Sequence, residues 1–293
     1  CFLPLHIWKK YFIKNNINIK IVKDINLINE CEVLIIDSKF HRNLWKNNIE
    51  NIYSNFDFFK KKCNKLIYFD TTDSTGSIQT ELLDIVDIYW KSQIYCDKKK
   101  YLIEYFGERI FTDHLKNLPE LSDEKKNFSK RVNNPLHLKK IYHAWNTSFA
   151  NYTFYGNLYN KLLSKFSLNF LSNFNQKFIQ PENSRPNLIS SRYNTKYSRK
   201  LIAWQREKIS EILEKKVNTE RISAKKYHDE LSSSKISIAP FGWGEISYRD
   251  YETINSGAIL FKPNMSHLET WPNFYQEDIT YRSFSWDLKN LNE

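Results

Sequence analysis

The chain has 293 residues, enough for two domains of ordinary size or one large α/β domain. A hydrophobic fraction of 41% supports sizeable cores, and 44 Lys and Arg against 33 Asp and Glu leave a net charge of +11. The basic residues form short runs, such as 60–62 and 98–100, rather than one stripe. That pattern reads first as solvated surface, then as a face for anionic lipid or glycan, and argues against nucleic acid.

The elements begin with residues 17–22, where Ile17, Ile19 and Ile21 alternate as in a half-buried strand. Residues 33–36 are a compact apolar run ending at Asp37, and residues 65–69 another ending at Asp70, followed by a Thr/Asp/Ser/Gly turn. Both look like buried parallel strands closed by polar loops. Residues 78–87 carry helical spacing, which completes a strand and helix alternation expected of a parallel sheet. The chain turns polar over 115–134, a helical region rich in Tyr, Trp and Phe is expected over 136–163, and residues 173–187 are the best linker candidate. A second α/β unit follows: strand 188–191, long helix 197–216, a helix N-capped by Ser223, strand 236–239, helix 248–256 closed by Gly257, and strand 258–261.

Cys1, Cys31, Cys63 and Cys96 lie far apart along the chain with no C-x-x-C pair. They suggest neither a zinc site nor a disulfide framework, and favour a reducing compartment. No apolar run approaches the ~20 residues that span a bilayer, and no secretory leader is evident. The expected location is the cytoplasm, with peripheral contact to the anionic inner face of the membrane as an option. A start at Cys1 without an initiator Met fits a segment of a longer protein, and a lipidated N-terminal Cys has only its position in its favour.

The chemistry concentrates in residues 235–271, KISIAPFGWGEISYRDYETINSGAILFKPNMSHLETW. This is strand, glycine-containing loop, helix, Gly stop, strand, and polar loop. The loop 240–245 follows a strand, at the edge where open α/β sheets bind ligands. Gly242 and Gly244 let backbone approach a ligand, with Trp243 and Glu245 between and after them, and the helix N-terminus favours a phosphate. Arg249 in the first turn and Glu252 one turn on share a face, suited to a diphosphate and to ribose hydroxyls. An ordinary Arg–Glu i,i+3 pair is the plain alternative.

The string Ser247-Tyr-Arg249-Asp-Tyr-Glu252-Thr-Ile-Asn-Ser-Gly257 resembles the nucleotide-sugar motif of exostosin-like glycosyltransferases. It is more loosely similar to the Glu-Ala-x-x-x-Gly signature of GT-B enzymes. The longer string from Pro240-Phe-Gly-Trp-Gly-Glu to His267-Leu-Glu-Thr-Trp-Pro looks like a bacterial group from surface-polysaccharide clusters. The close resemblance covers the last third of the chain. It implies that Arg249 contacts the donor diphosphate and Glu252 the ribose. Thr253 stands where alanine is usual. The glutamate that retaining enzymes carry eight residues earlier falls on Gly244, with Glu245 one residue out of register.

The resemblance implies a GT-B fold: two Rossmann-like domains facing a cleft, an acceptor domain over 1–180 and a donor domain over 181–293. The final segment 286–291 is expected to return to the first domain. The reaction would transfer sugar from a nucleotide-sugar to a glycan or lipid-linked glycan without a metal cofactor, since no Asp-x-Asp follows a strand. Further donor contacts are expected from Lys262, His267, Glu269 and Thr270 in the loop after the next strand, and from Arg192 or Arg199. Asp70 and Asp73 are the candidate general bases, with a capped turn as the alternative and His41 ranked lower. Arg109 and Asp113 read as structural. A non-catalytic nucleotide-sugar or polysaccharide-binding module is the competing function.

Overall fold

The computed structural model describes residues 4–5, 8–121, 127–146, 178–213 and 218–291. The elements in chain order are α1 (Lys9–Lys14), β1 (Cys31–Asp37), α2 (Leu44–Asn47), α3 (Ile49–Lys60), β2 (Cys63–Asp70), β3 (Ile88–Lys91), β4 (Gln93–Tyr95), α4 (Ile110–His114) and β5 (Ile141–His143). After the undescribed segment come β6 (Asn187–Ser190), α5 (Lys200–Ile212), α6 (Ala224–Ser232), β7 (Ser234–Ile238), α7 (Tyr248–Asn255), β8 (Ile259–Pro263), β9 (Leu268–Thr270) and β10 (Tyr281–Phe284).

Two parallel four-stranded sheets result, ordered β1-β2-β3-β5 and β10-β8-β7-β6. The molecule is therefore α/β, with every strand of a sheet delivering its following loop to one edge. Helix α3 covers the first sheet because Ile52, Phe56 and Phe59 recur at spacings of four and three and are all buried. In the second sheet α5 supplies both cores: Leu201, Trp204 and Ile209 face one cluster, and Ile202 another with Phe241 and Leu260. The cap of α6 forms as expected, with Ser223 accepting from the Lys226 amide. Helix α7 stops at Gly257, whose φ of +68° a side chain would resist.

The strand expected over 17–22 is absent. Its isoleucines alternate, but Ile17 and Ile21 are exposed and no strand among the described residues runs beside them. Residues 78–87 form only a short 3-10 turn, Thr80–Leu82. Ile78, Leu82, Leu83 and Val86 are buried as the spacing implies. However, the Lys140 ammonium takes the carbonyls of Leu83 and Val86, which a continuing helix would need. The region expected to be helical from 136 is a 3-10 turn, Pro135–Lys140, and then β5; its remainder from 147 lies outside the described residues. So do residues 122–126 of the polar stretch, Cys1, the end of the long helix at 214–216, and residues 173–177 of the linker. The described part of that linker, 178–186, has no helix or strand. It is pinned by Arg185, which donates to the carbonyls of Gln180, Ser234 and Ser256.

The first sheet is built from residues up to 143 and the second from 187 onward, but their packing is shared. Strand β4 pairs antiparallel with β9. Phe106, Leu115 and Leu121 pack into the second sheet's core, together with Leu288 and Leu291 of the C-terminal segment. Cys31 and Cys63, distant in sequence, are register partners on β1 and β2.

At the end of β2 the Asp70 carboxylate is fully buried. It accepts from Tyr89 Oη at 2.7 Å, Lys91 Nζ at 2.9 Å and the Thr72 amide at 2.9 Å. Lys91, equally buried, also donates to Thr72 Oγ1 and the Ser77 carbonyl. Removing one member of a satisfied buried pair strands the other charge. Lys91→Ala should therefore lower the unfolding free energy by about 3–5 kcal/mol, measured from denaturant unfolding curves. A loss below about 1 kcal/mol would place the pair among surface bridges in energetic terms.

Candidate functional site

Strand β7 runs into the loop 239–247 and then into α7, which places the glycine loop at the carboxyl edge of the second sheet. Two arginines bracket this loop. Arg206, buried on α5, donates to the carbonyls of Phe241, Pro240 and Asn194 and stacks over Tyr197, at 4.9 Å from the ring centre. Burial pulls its guanidinium down to about 10. Arg109 reaches in from the first half, donating to the Trp243 carbonyl at 2.7 Å and to Gly107. Arg109 was expected to be structural, and it is so in an unexpected place: it fastens the candidate donor loop.

The glycines serve packing more than ligand approach. A Cβ on Gly244 would fall 1.9 Å from the Asp73 carbonyl oxygen, and one on Gly242 would fall 2.7 Å from Arg206 Nη2. The loop after β7 therefore lies directly on the turn after β2. Trp243 is about 40% exposed, its ring beside Tyr197 and Arg109. Glu245 is fully buried, one oxygen accepting the Thr75 amide at 3.0 Å from the first half. Burial pushes its carboxyl up, opposed by that hydrogen bond and by the Arg109 charge.

Arg249 and Glu252 occupy the first two turns of α7, but they are not salt-bridged to each other. One Arg249 Nη donates to the Arg192 carbonyl, while its Nε is buried without a partner. The Tyr227 hydroxyl of α6 lies in the fields of both Arg249 and Glu252, and burial drives the phenol upward. The plain alternative of an i,i+3 ion pair thus does not describe these side chains.

Asp250 had not been singled out. It is fully buried and accepts from Ser247 N, Ser247 Oγ and the Tyr275 hydroxyl, with Lys262 Nζ at 3.2 Å. The signal was in the sequence, because Ser247-x-x-Asp250 has the spacing of a capping box. Lys262, expected at the donor, is fully buried on that carboxylate; burial pulls its ammonium down while Asp250 holds it up.

The remaining candidates separate. Arg192 is held by Glu230 through Nε and Nη2, and Arg199 by Glu108, so each already has a carboxylate. Glu269 pairs with His143, and Thr270 donates to the Pro272 carbonyl. His267 is buried between Trp286 and Tyr95, both ring nitrogens without a partner. Burial, then Lys100 and Lys262, pull it down to about 3. His41 is sealed against Phe40, Phe56 and Phe59, with its Nε2 3.3 Å from Asn55 Nδ2, and is pulled down to about 4 by burial. Asp70 is enclosed by its partners, whereas Asp73 is exposed beside Gly244, its carbonyl held by Gln93. Asp113 accepts the Phe106 amide, as a structural residue would.

Among the described residues no three His, Cys, Asp or Glu side chains gather as metal ligands, and no helix is long and apolar enough to cross a membrane. Neither a protein-family model nor a curated protein sequence matches the chain.

The two glycines give a direct test of the loop contact. Gly244→Ala meets backbone, which cannot yield cheaply, whereas Gly242→Ala meets only the far end of Arg206. Gly244→Ala should lose about 1–3 kcal/mol of stability, the range for overpacking, and clearly more than Gly242→Ala. Equal thermal-unfolding midpoints for the two variants would contradict the packing described.

Proposed function

We propose that the chain is a metal-independent glycosyltransferase of the GT-B type, with two Rossmann-like domains, acting on a nucleotide-sugar donor. Its acceptor would be a glycan or lipid-linked glycan, in surface-polysaccharide synthesis. The observation that carries this reading is the state of Arg249. It lies on the first turn after a strand-end glycine loop, and its guanidinium and the Glu252 carboxylate one turn on meet at the Tyr227 hydroxyl rather than in an ion pair with each other. A guanidinium suits a diphosphate and a carboxylate suits ribose hydroxyls, the roles that the sequence resemblance implies.

In this reading Arg249 and the α7 N-terminus stabilise the departing diphosphate through fixed donors, with no reorganisation during the reaction. Arg206 shapes the loop from beneath. The base falls to Asp73 rather than Asp70, because only Asp73 is exposed at the edge where the two loops meet. Asp70, with three donors on its oxygens, holds the turn that carries Asp73.

Arg249→Ala should weaken binding of the cognate nucleoside diphosphate by roughly tenfold to a hundredfold, the scale of one charge-assisted contact, with an unchanged melting temperature. Unaltered affinity by calorimetry would remove Arg249 from the site. Asp73→Asn should cut turnover by about 100-fold or more with donor affinity retained. Donor binding without turnover in the unmodified chain would favour the non-catalytic module instead.

A further inference from the structure

Residues 8–23 carry five lysines and no Asp or Glu, interleaved with aromatic and branched apolar residues. Their local fold is definite. Helix α1 ends at Asn16, held in the left-handed region at φ +60°. There the Ile17 amide donates to the Phe12 carbonyl at 2.9 Å and the Asn16 amide to the Ile13 carbonyl at 3.0 Å. That pair of hydrogen bonds is a Schellman ending, which asparagine enters readily where glycine is not used. Downstream, Asp24 accepts the Asn26 amide, and Ile25 and Ile28 pack on the core of the first sheet. The segment is thus shaped by its own residues and tethered at its far end.

An ordinary surface helix buries one face, but α1 buries none of its residues. Trp8, Tyr11, Ile13, Ile17 and Ile21 are each between 38% and 60% exposed, and none belongs to a core cluster. Single exposed apolar residues are normal, whereas a run of them this dense marks an interaction surface. Charge selects the partner. Lys10, Lys14, Lys20 and Lys23 are all exposed, and among the described residues none is ion-paired. A second copy would set lysines against lysines, and a nucleic acid has no hydrocarbon to take Ile13, Ile17 and Ile21. A bilayer with anionic headgroups accepts both: Trp and Tyr at headgroup depth, aliphatic side chains below them, and lysine stems reaching back to phosphate.

We propose that residues 8–23 form a docking surface that seats the chain peripherally on an anionic bilayer. Trp8, Tyr11 and Ile13 enter the headgroup boundary, and Lys10, Lys14, Lys20 and Lys23 pair with lipid phosphates. The surface uses no residue of the candidate donor site, so its test is independent of what that site binds.

Co-sedimentation of the whole chain with vesicles tests it, using phosphatidylcholine alone and phosphatidylcholine mixed equally with phosphatidylglycerol. The chain should sediment with the anionic vesicles and not with the neutral ones. Changing Lys10, Lys14, Lys20 and Lys23 together to Gln should weaken the partition by about tenfold or more. Trp8→Ser combined with Ile13→Ser should weaken it by about tenfold at unchanged charge. The same Lys→Gln change at the exposed Lys60, Lys61, Lys225 and Lys226 should weaken it far less. All of these side chains are exposed, and circular dichroism checks that each variant folds as the parent does. No sedimentation with anionic vesicles, equal sedimentation with neutral ones, or equal losses from the two lysine sets would overturn the proposal. Binding that survives Trp8→Ser with Ile13→Ser would also overturn it, leaving only diffuse charge. Self-association in light scattering that those two changes abolish, without vesicle binding, would assign the face to a second copy instead.

Discussion

At the carboxyl edge of each sheet a lysine is removed entirely from water and held on an equally buried aspartate: Lys91 on Asp70 in the first, Lys262 on Asp250 in the second. Burying a charge costs several kcal/mol unless its partner and remaining hydrogen bonds are all in place. The surrounding backbone therefore has little freedom. In the first half the pair fixes Thr72 and the Ser77 carbonyl, and so the turn carrying Asp73. In the second it fixes Ser247 at the start of α7, and with it the direction of Arg249 and Glu252. The candidate site is assembled between two loops whose geometry is set by charge burial beneath them.

The loops also constrain each other. Gly244 leaves no room for a side chain against Asp73, Glu245 takes the Thr75 amide, and Arg109 fastens the Trp243 carbonyl. The β4–β9 ribbon and the shared core around Phe106 and Leu288 extend the same seam. The two sheets thus meet through specific polar contacts at their carboxyl edges, and through apolar packing beside them. Burial there pushes the Glu245 carboxyl up and pulls the His267 imidazole down.

The arginines divide the remaining work. Arg192 and Arg199 are neutralised by Glu230 and Glu108, and each ties distant chain segments together. Arg206 and Arg249 are bonded to backbone carbonyls, and among the described residues neither is ion-paired with a carboxylate. Positive charge therefore collects next to the glycine loop, beside the N-terminus of α7, where the helix dipole adds to it.

Features encoded by neighbouring residues were legible in the sequence. The apolar runs at 33–36, 65–69 and 236–239 became β1, β2 and β7, Ser223 caps α6, and Gly257 ends α7 in a left-handed turn, each through interactions within a few residues. The Arg249 and Glu252 spacing was legible for the same reason, since a helix fixes which residues share a face. Whether a polar side chain is spent on a partner or left for a ligand depends on residues tens to hundreds of positions away. Sequence spacing could not separate Asp70 from Asp73, assign Lys262 to Asp250, distinguish Arg192 from Arg206, or bring Cys31 beside Cys63. Nor could it show that the isoleucines of 17–22 find no neighbouring strand among the described residues. Local sequence determined the elements and the residue types at their ends. Burial and long-range partners, which exist only once the two sheets have packed, decided which of those residues remain available for chemistry.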